Sequence, residues 1–303
     1  RNKLDIEKTL DEVLKRKINF YTFETPKYPE LLKEISDPPS VLYYKGNSDL
    51  CNFKKTLAIV GSRKASYNAR DAVEKIISEL SGTDICIVSG LASGIDTSAH
   101  TSALKHDLKT IGVIASGFDY VYPASNRSLY EQIENGGGLV VSEYYPTFEP
   151  LKFRFPQLNR IVSGLSYGTL VAEASLRSGA LITANLTLEQ GRELMCIPGL
   201  ISNPNTEGIY KLLKNGATLV TCANDILEAL NWEVKPAKQL KIDLSDLNEI
   251  EQKILSAIEI EEKGFDEIAS ITQINTNDLL INLTTMELKG IIKQTAGERY
   301  KKI

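Results

Sequence analysis

Between residues 56 and 221 the chain repeats one pattern: a short apolar run, a turn, and in most cases a helical stretch before the next run. The runs are TLAIV (56–60), ICIVS (85–89), TIGVIAS (110–116), GLVVS (138–142), TLVAEA (169–174), ELMCIP (193–198) and ATLVT (217–221). A run that is apolar at consecutive positions, not alternate ones, has to be covered on both faces, and helical crossovers join strands in parallel. The expected fold is therefore α/β, an extended Rossmann-like, doubly wound, mostly parallel sheet occupying residues 51–230. Before it, residues 4–20 have the spacing of an amphipathic helix. The Pro-broken stretch TPKYPELLKEISDPPSVLYYKGN then reads as part of a helical and extended arm, residues 1–50, packed on the next domain. Residues 231–247 read as a linker. Residues 248–303 fit three short helices, NEIEQKILSAI, FDEIASIT and NTNDLLINLTTMELKGIIKQ, followed by TAGERYKKI as a strand or wing, the plan of a winged helix.

Charge and cysteine usage exclude several function classes. With 35 basic against 39 acidic residues the chain carries a net charge of −4. Bulk basicity cannot hold a polyanion here, so any anion site has to be built locally. The four cysteines, at 51, 86, 196 and 222, contain no C-x-x-C pair, which supports neither a disulfide scaffold nor a zinc site. Two histidines, His100 and His106, are too few for a histidine-rich metal centre. No uncharged apolar run approaches the roughly 18 residues of a membrane helix, and RNKLDIEKTLDEVLKRK has no signal-peptide core. A soluble cytoplasmic protein, with no membrane contact, is expected.

Four segments could carry chemistry. Gly61-Ser62-Arg63 directly follows a strand, where ligands of parallel sheets sit, and Arg63 supplies a forked phosphate donor. The same glycine also suits a loop that needs it for geometry alone. Ser89-Gly90-Leu91-Ala92-Ser93-Gly94-Ile95-Asp96 runs on to His100. Asp96 and His100 are four apart and share a helix face. They read either as a cap and a loop tie or as part of a hydrolase site, although no G-x-S-x-G elbow is present. Lys152-Phe153-Arg154-Phe155-Pro156-Gln157-Leu158-Asn159-Arg160 interleaves cations with aromatics. Residues 152–177 hold four bases (Lys152, Arg154, Arg160, Arg177) against Glu173, a local +3. Cations that follow phosphates and rings that stack on bases suit unpaired nucleic acid; equally, both phenylalanines could be core. In Gly168-Thr169-Leu170-Val171-Ala172-Glu173, Glu173 could bind a ribose or pair with Arg177. Ser178-Gly179 could open a phosphate-holding helix or act as a plain cap.

Taken together, the ordered segments AIVGSR (58–63), VSGLASGIDTSAH (88–100), TIGVIASGFDYVYP (110–123), SE (142–143), LKFRFPQLNRIVSGLS (151–166), VAEASLRSGALITA (171–184), EQGRELMCIPG (189–199) and NGATLV (215–220) resemble the DNA-processing protein A family, DprA or Smf. The resemblance implies a non-enzymatic protein without a cofactor, metal or catalytic residue. Its partners would be single-stranded DNA and the RecA recombinase, which it loads onto incoming strands in natural transformation, and it would work as a homodimer. The positions matching the family's DNA pocket are Gly61, Ser62, Arg63, Lys152, Phe155, Asn159 and Arg160. Ser89, Gly90, Gly94, Asp96, His100, Arg177, Ser178 and Gly179 are expected to shape or support it. Two departures remove cations: Leu158 and Ala124 stand where relatives usually have Arg and Lys. Two other readings remain open: a nucleotide phosphoribohydrolase, from the partial likeness of Gly168–Glu173 to a P-G-G-x-G-T-x-x-E signature, and an interaction hub with a degenerate site. The C-terminal module is split in charge, with net −5 over residues 246–262 and net +4 over 289–303.

Overall fold

The computed structural model describes residues 6–233, 247–258, 261–288, 291–295 and 299–302. The chain divides into two compact units, residues 1–237 and 238–303. Among the described residues no helix is long and apolar enough to cross a membrane.

The first unit contains α1 (Ile6–Lys15), β1 (Asn19–Thr22), α2 (Glu30–Lys33), β2 (Val41–Gly46), β3 (Thr56–Gly61), α3 (Tyr67–Glu79), β4 (Cys86–Ser89), α4 (Ile95–Lys105), β5 (Lys109–Val113), α5 (Arg127–Asn135), β6 (Leu139–Ser142), α6 (Arg154–Gly164), β7 (Gly168–Glu173), α7 (Ala180–Glu189), β8 (Glu193–Cys196), α8 (Glu207–Lys214), β9 (Thr218–Leu219) and α9 (Ala223–Ala229). Its nine strands form one sheet in the order β1-β2-β6-β5-β4-β3-β7-β8-β9. The seven strands from β3 to β9 pair in parallel, and each coincides with one of the apolar runs. Successive residues of β3 go to opposite faces. Leu57 and Ile59 pack with Val73, Ile76 and Ile77 of α3 and Ala99 of α4, while Ala58 and Val60 pack with Leu158, Ile161 and Val162 of α6. Each such fully buried aliphatic side chain contributes roughly 1.5–3 kcal/mol. This is why no polar residue interrupts the run. α3 shows the complementary pattern: Ser66 caps it by accepting from the Ala69 amide at 3.2 Å, and its buried positions 69, 73, 76 and 77 form one stripe.

The N-terminal segment is not an arm. β1 and β2 add two antiparallel strands to the sheet edge beside β6. The helix expected over 4–20 is confined to Ile6–Lys15 within the described residues, because Lys17 takes a left-handed φ of 54° and turns the chain into β1. Pro26, Pro29, Pro38 and Pro39 all fall in the β1–β2 connection, where no ladder hydrogen bond is lost.

At the other end, Trp232 packs edge-on against Tyr167, with centroids 6.1 Å apart, so the expected linker begins inside the first unit. Its remainder, residues 234–246, lies outside the described residues. The second unit holds α10 (Glu249–Ala257), β10 (Lys263–Gly264), α11 (Phe265–Thr272), α12 (Thr276–Leu288), β11 (Ile292–Thr295) and β12 (Arg299–Lys302). A capping box of Asn248 and Glu251 starts α10. The third helix stops earlier than its sequence suggests: Ile292–Thr295 leave it and pair antiparallel with β12 in the sheet β10-β12-β11. The core here is Ile254, Ile268, Leu279, Leu283, Met286, Ile292 and Tyr300.

Candidate nucleic-acid interface

The order in which strands are added reverses between the parallel β3 and β7, with β4, β5 and β6 on one side and β8 and β9 on the other, the point where α/β sheets open a crevice at the carboxyl ends of their strands. A cleft of about 630 Å³ lies there. Its walls are the turn after β3 (Gly61, Ser62, Arg63, Lys64), the turn after β4 (Gly90, Ala92), the start of α6 with Lys152 before it, and the segment from Ser175 to Thr183 after β7.

The first two turns are laced together. The Ile95 amide donates to the Ser62 carbonyl at 3.1 Å, and the Ser62 amide donates to the Glu173 carbonyl at 2.8 Å. Gly94 sits at this junction with φ of +84°, and a Cβ there would lie 2.2 Å from the Ser62 carbonyl oxygen. Gly90 is needed for a different reason: its Cα faces the Asp96 carboxyl, and a Cβ would come within 2.8 Å of Oδ2. That oxygen accepts from the Ala92 amide at 3.3 Å. Asp96 keeps an edge on the cleft, yet burial lifts its carboxyl from 3.8 to about 7, opposed by the Ala92 amide, Ser89 and the Arg63 charge.

A raised carboxyl pKa has a definite stability consequence. The contribution from protonated Asp96 is complete below pH 3.8 and is lost as pH rises through about 7. His100, held neutral by burial with its pKa lowered to about 3, works in the opposite direction, losing stability as pH falls below 6.5. Comparing Asp96→Asn with the native chain isolates the first effect. The variant's Tm should gain on the native value as pH rises from about 4 to 8, by an amount corresponding to a few kcal/mol. A Tm difference that stays flat over that range contradicts the assignment.

Of the residues expected to hold DNA, six line the cleft: Gly61, Ser62, Arg63, Lys152, Phe155 and Asn159. Arg160 does not. Its guanidinium makes a forked pair with Glu143 (Nη1–Oε1 2.8 Å, Nη2–Oε2 2.7 Å), and its Nε donates to Asp37 Oδ2 at 3.0 Å. These contacts tie α6 to Glu143 after β6 and to Asp37 before β2.

Phe155, expected from the resemblance to stack on or wedge against a base, lines the cleft with its ring partly covered. It is half-buried, with the Arg63 guanidinium 4.7 Å from its ring centroid and the Tyr122 ring 5.5 Å away. Tyr122, 51% exposed, offers the accessible ring at the cleft. Leu158 is buried in the core and lines the cleft as an apolar wall.

Among the supporting residues, Gly90, Asp96, Ser178 and Gly179 line the cleft; Ser89 and His100 lie behind it, and Arg177 is exposed outside it. His100 Nδ1 pairs with Thr110 Oγ1 at 2.7 Å, and no hydrogen bond to Asp96 is formed. Glu173 is likewise committed: buried at 1% exposure, it accepts from the Ser66 backbone amide at 3.0 Å and from the Asn203 side-chain Nδ2 at 3.4 Å, and makes no pair with Arg177.

Sequence reasoning missed Lys64, Tyr122, Ser175, Thr183 and Asn205. Lys64 was visible as a second base after Arg63; the others become neighbours only through the fold. The lining thus carries Arg63, Lys64 and Lys152 against Asp96, a net +2 when the acid is ionised. Among the described residues none of these three cations makes an ion pair.

The family model described as DNA recombination-mediator protein A matches residues 19–231. The chain belongs to the DprA/Smf family. A second model, the DprA winged helix domain, matches residues 235–298. The DprA of Streptococcus pneumoniae is 49% identical over 200 residues, covering 66% of this chain and 70% of that protein. Protein Smf of Synechocystis is 33% identical over 337 aligned positions, covering 100% of this chain and 84% of the relative. The solved Streptococcus pneumoniae DprA superposes with a TM-score of 0.68 at 45% identity, over 72% of this chain and 77% of that one. DNA processing protein A of Helicobacter pylori, solved to describe its single-stranded DNA binding mode, gives 0.64 at 28% identity, over 72% and 98%.

Proposed function

We propose that this DprA/Smf-family chain captures single-stranded DNA in the cleft between β3 and β7. In the cell it would act as a cytoplasmic homodimer that covers incoming strands and hands them to RecA in natural transformation and recombination. The observation that carries the DNA reading is the convergence of Arg63, Lys64 and Lys152, none of them in an ion pair among the described residues and outnumbering the one lining carboxyl, Asp96, on one glycine-walled crevice. Such a site gives a −4 chain a local anion trap. The Helicobacter pylori relative, whose single-stranded DNA binding is reported, supports this ligand, and the family's description as a recombination mediator supports a recombinase partner. The reading is of binding and not catalysis: Glu173, the acid of the partial phosphoribohydrolase-like signature, is tied to the Ser66 amide, and His100 is buried between α4 and β5.

Three phosphate-holding cations predict a log–log salt slope of about −2, at about −0.7 per single-strand phosphate. Anisotropy titrations of labelled oligo-dT at increasing salt measure it. The same titration with duplex should show much weaker binding, since a crevice of this volume accepts splayed nucleotides and not a paired helix. A slope near zero, or equal affinity for duplex, contradicts the proposal.

A further inference from the structure

Beside the cleft, residues 144–154 form a feature that the crevice itself does not require. The Arg154 guanidinium lies 4.7 Å from the ring centroid of Tyr144, 4.9 Å from Phe148 and 5.6 Å from Phe153. Its Nη1 donates to the Glu149 carbonyl, and among the described residues it makes no ion pair. Two of these rings face water: Phe153 is 61% exposed and Phe148 is 45% exposed. A cluster of exposed rings is an unusual surface for a protein to keep unless something covers it. Here the rings are held in place by a shared cation, so little side-chain freedom remains to be lost on binding.

We propose that this ridge is a second subsite, on which bases of the strand leaving the cleft stack on Phe153 and Phe148 while Arg154 attracts the backbone. The inference rests on the cleft reading. It is favoured by continuity, since Lys152 of the cleft wall directly precedes Phe153, and by charge, since Arg154 is an unneutralised cation facing a polyanion. Rings plus cations in a row are the arrangement that sequence-tolerant single-strand binding uses.

The test uses the whole chain and fluorescein-labelled oligo-dT of two lengths, about 4 nucleotides to fill the cleft alone and about 16 to reach the ridge. Phe153→Ala should weaken the longer oligonucleotide about tenfold and leave the shorter one unchanged. Phe153→Trp should restore the loss, which a general disturbance of the fold would not allow. Removing the bases beyond the cleft-bound segment, by abasic substitution in the longer oligonucleotide, should cost the native chain the same factor and the Ala variant nothing. Native-like binding of the longer oligonucleotide by Phe153→Ala overturns the subsite, as does an equal loss at both lengths. Failure of the cleft reading is distinguishable, since it appears as tight binding of the short oligonucleotide by Lys152→Glu.

Discussion

Arg63→Glu should lower oligo-dT affinity about 100-fold or more while shifting Tm by only about 2 °C. The binding loss follows from two equal steps. Removing a charge-assisted phosphate contact costs about 1.5–3 kcal/mol, and placing a carboxylate against the same phosphate adds repulsion of similar size. The small Tm change follows from where Arg63 sits. It is exposed, makes no ion pair among the described residues, and its aromatic contact is with the Phe155 ring at 4.7 Å. Losing that contact costs about 0.5–1 kcal/mol. Arg63→Lys keeps the charge but neither the fork nor the stacking plane, so it should fall between, near a tenfold loss. Lys152→Glu should behave like Arg63→Glu. If Arg63→Glu binds oligo-dT as tightly as the native chain, the strand lies elsewhere.

The parallel core was legible in the sequence because its physical signal is local. Residues apolar at consecutive positions, as in Leu57-Ala58-Ile59-Val60, cannot be satisfied by one buried face, and each such run proved to be a strand of the sheet. β1 and β2 were not legible for the converse reason. They close one side of the sheet, β1 outermost and β2 between it and β6, with most residues partly exposed, and the prolines between them dominate the local pattern. The early end of α12 was hidden because Gly290-Ile291-Ile292 continues an apolar spacing that a helix could use; the buried ladder with β12 takes Ile292 instead.

The cleft was half legible. Glycines and serines after strands report a backbone that must come close to something, and Gly61, Ser62, Gly90, Ser178 and Gly179 all line the crevice. What sequence could not assign was the partner of each cation. Between residues 152 and 160 three bases look equivalent, but Lys152 before α6, Arg154 at its start and Arg160 in its second turn meet three environments. Lys152 reaches the cleft, Arg154 enters a ring of aromatics, and Arg160 meets two carboxylates from distant segments. Glu143 and Asp37 are 17 and 123 residues away in sequence, so no local pattern could have reported them. The apparent net +3 of that segment therefore overstates the charge available to DNA.

That reassignment makes Arg160 the site of the largest expected stability effect. Its side chain is 14% exposed and that of Glu143 is 16% exposed, so the fork between them is largely shielded from solvent. Arg160→Met leaves the Glu143 carboxylate enclosed without its partner. Breaking such a pair costs about 3–5 kcal/mol, which in a unit of this size is a Tm drop of about 10 °C. Removing both charges together should recover most of the loss, because an apolar pair has no desolvation penalty to offset. Arg160→Met with Glu143→Leu is thus expected within a few degrees of native. Oligo-dT affinity, measured well below the lowered Tm, should change little in the double variant, since neither residue lines the cleft. The opposite pattern, a native Tm with oligo-dT binding abolished in Arg160→Met, would return Arg160 to the DNA and require its two carboxylate contacts to open when the strand arrives. The two measurements together separate a helix anchor from a phosphate ligand, a distinction that charge counting along the chain cannot make.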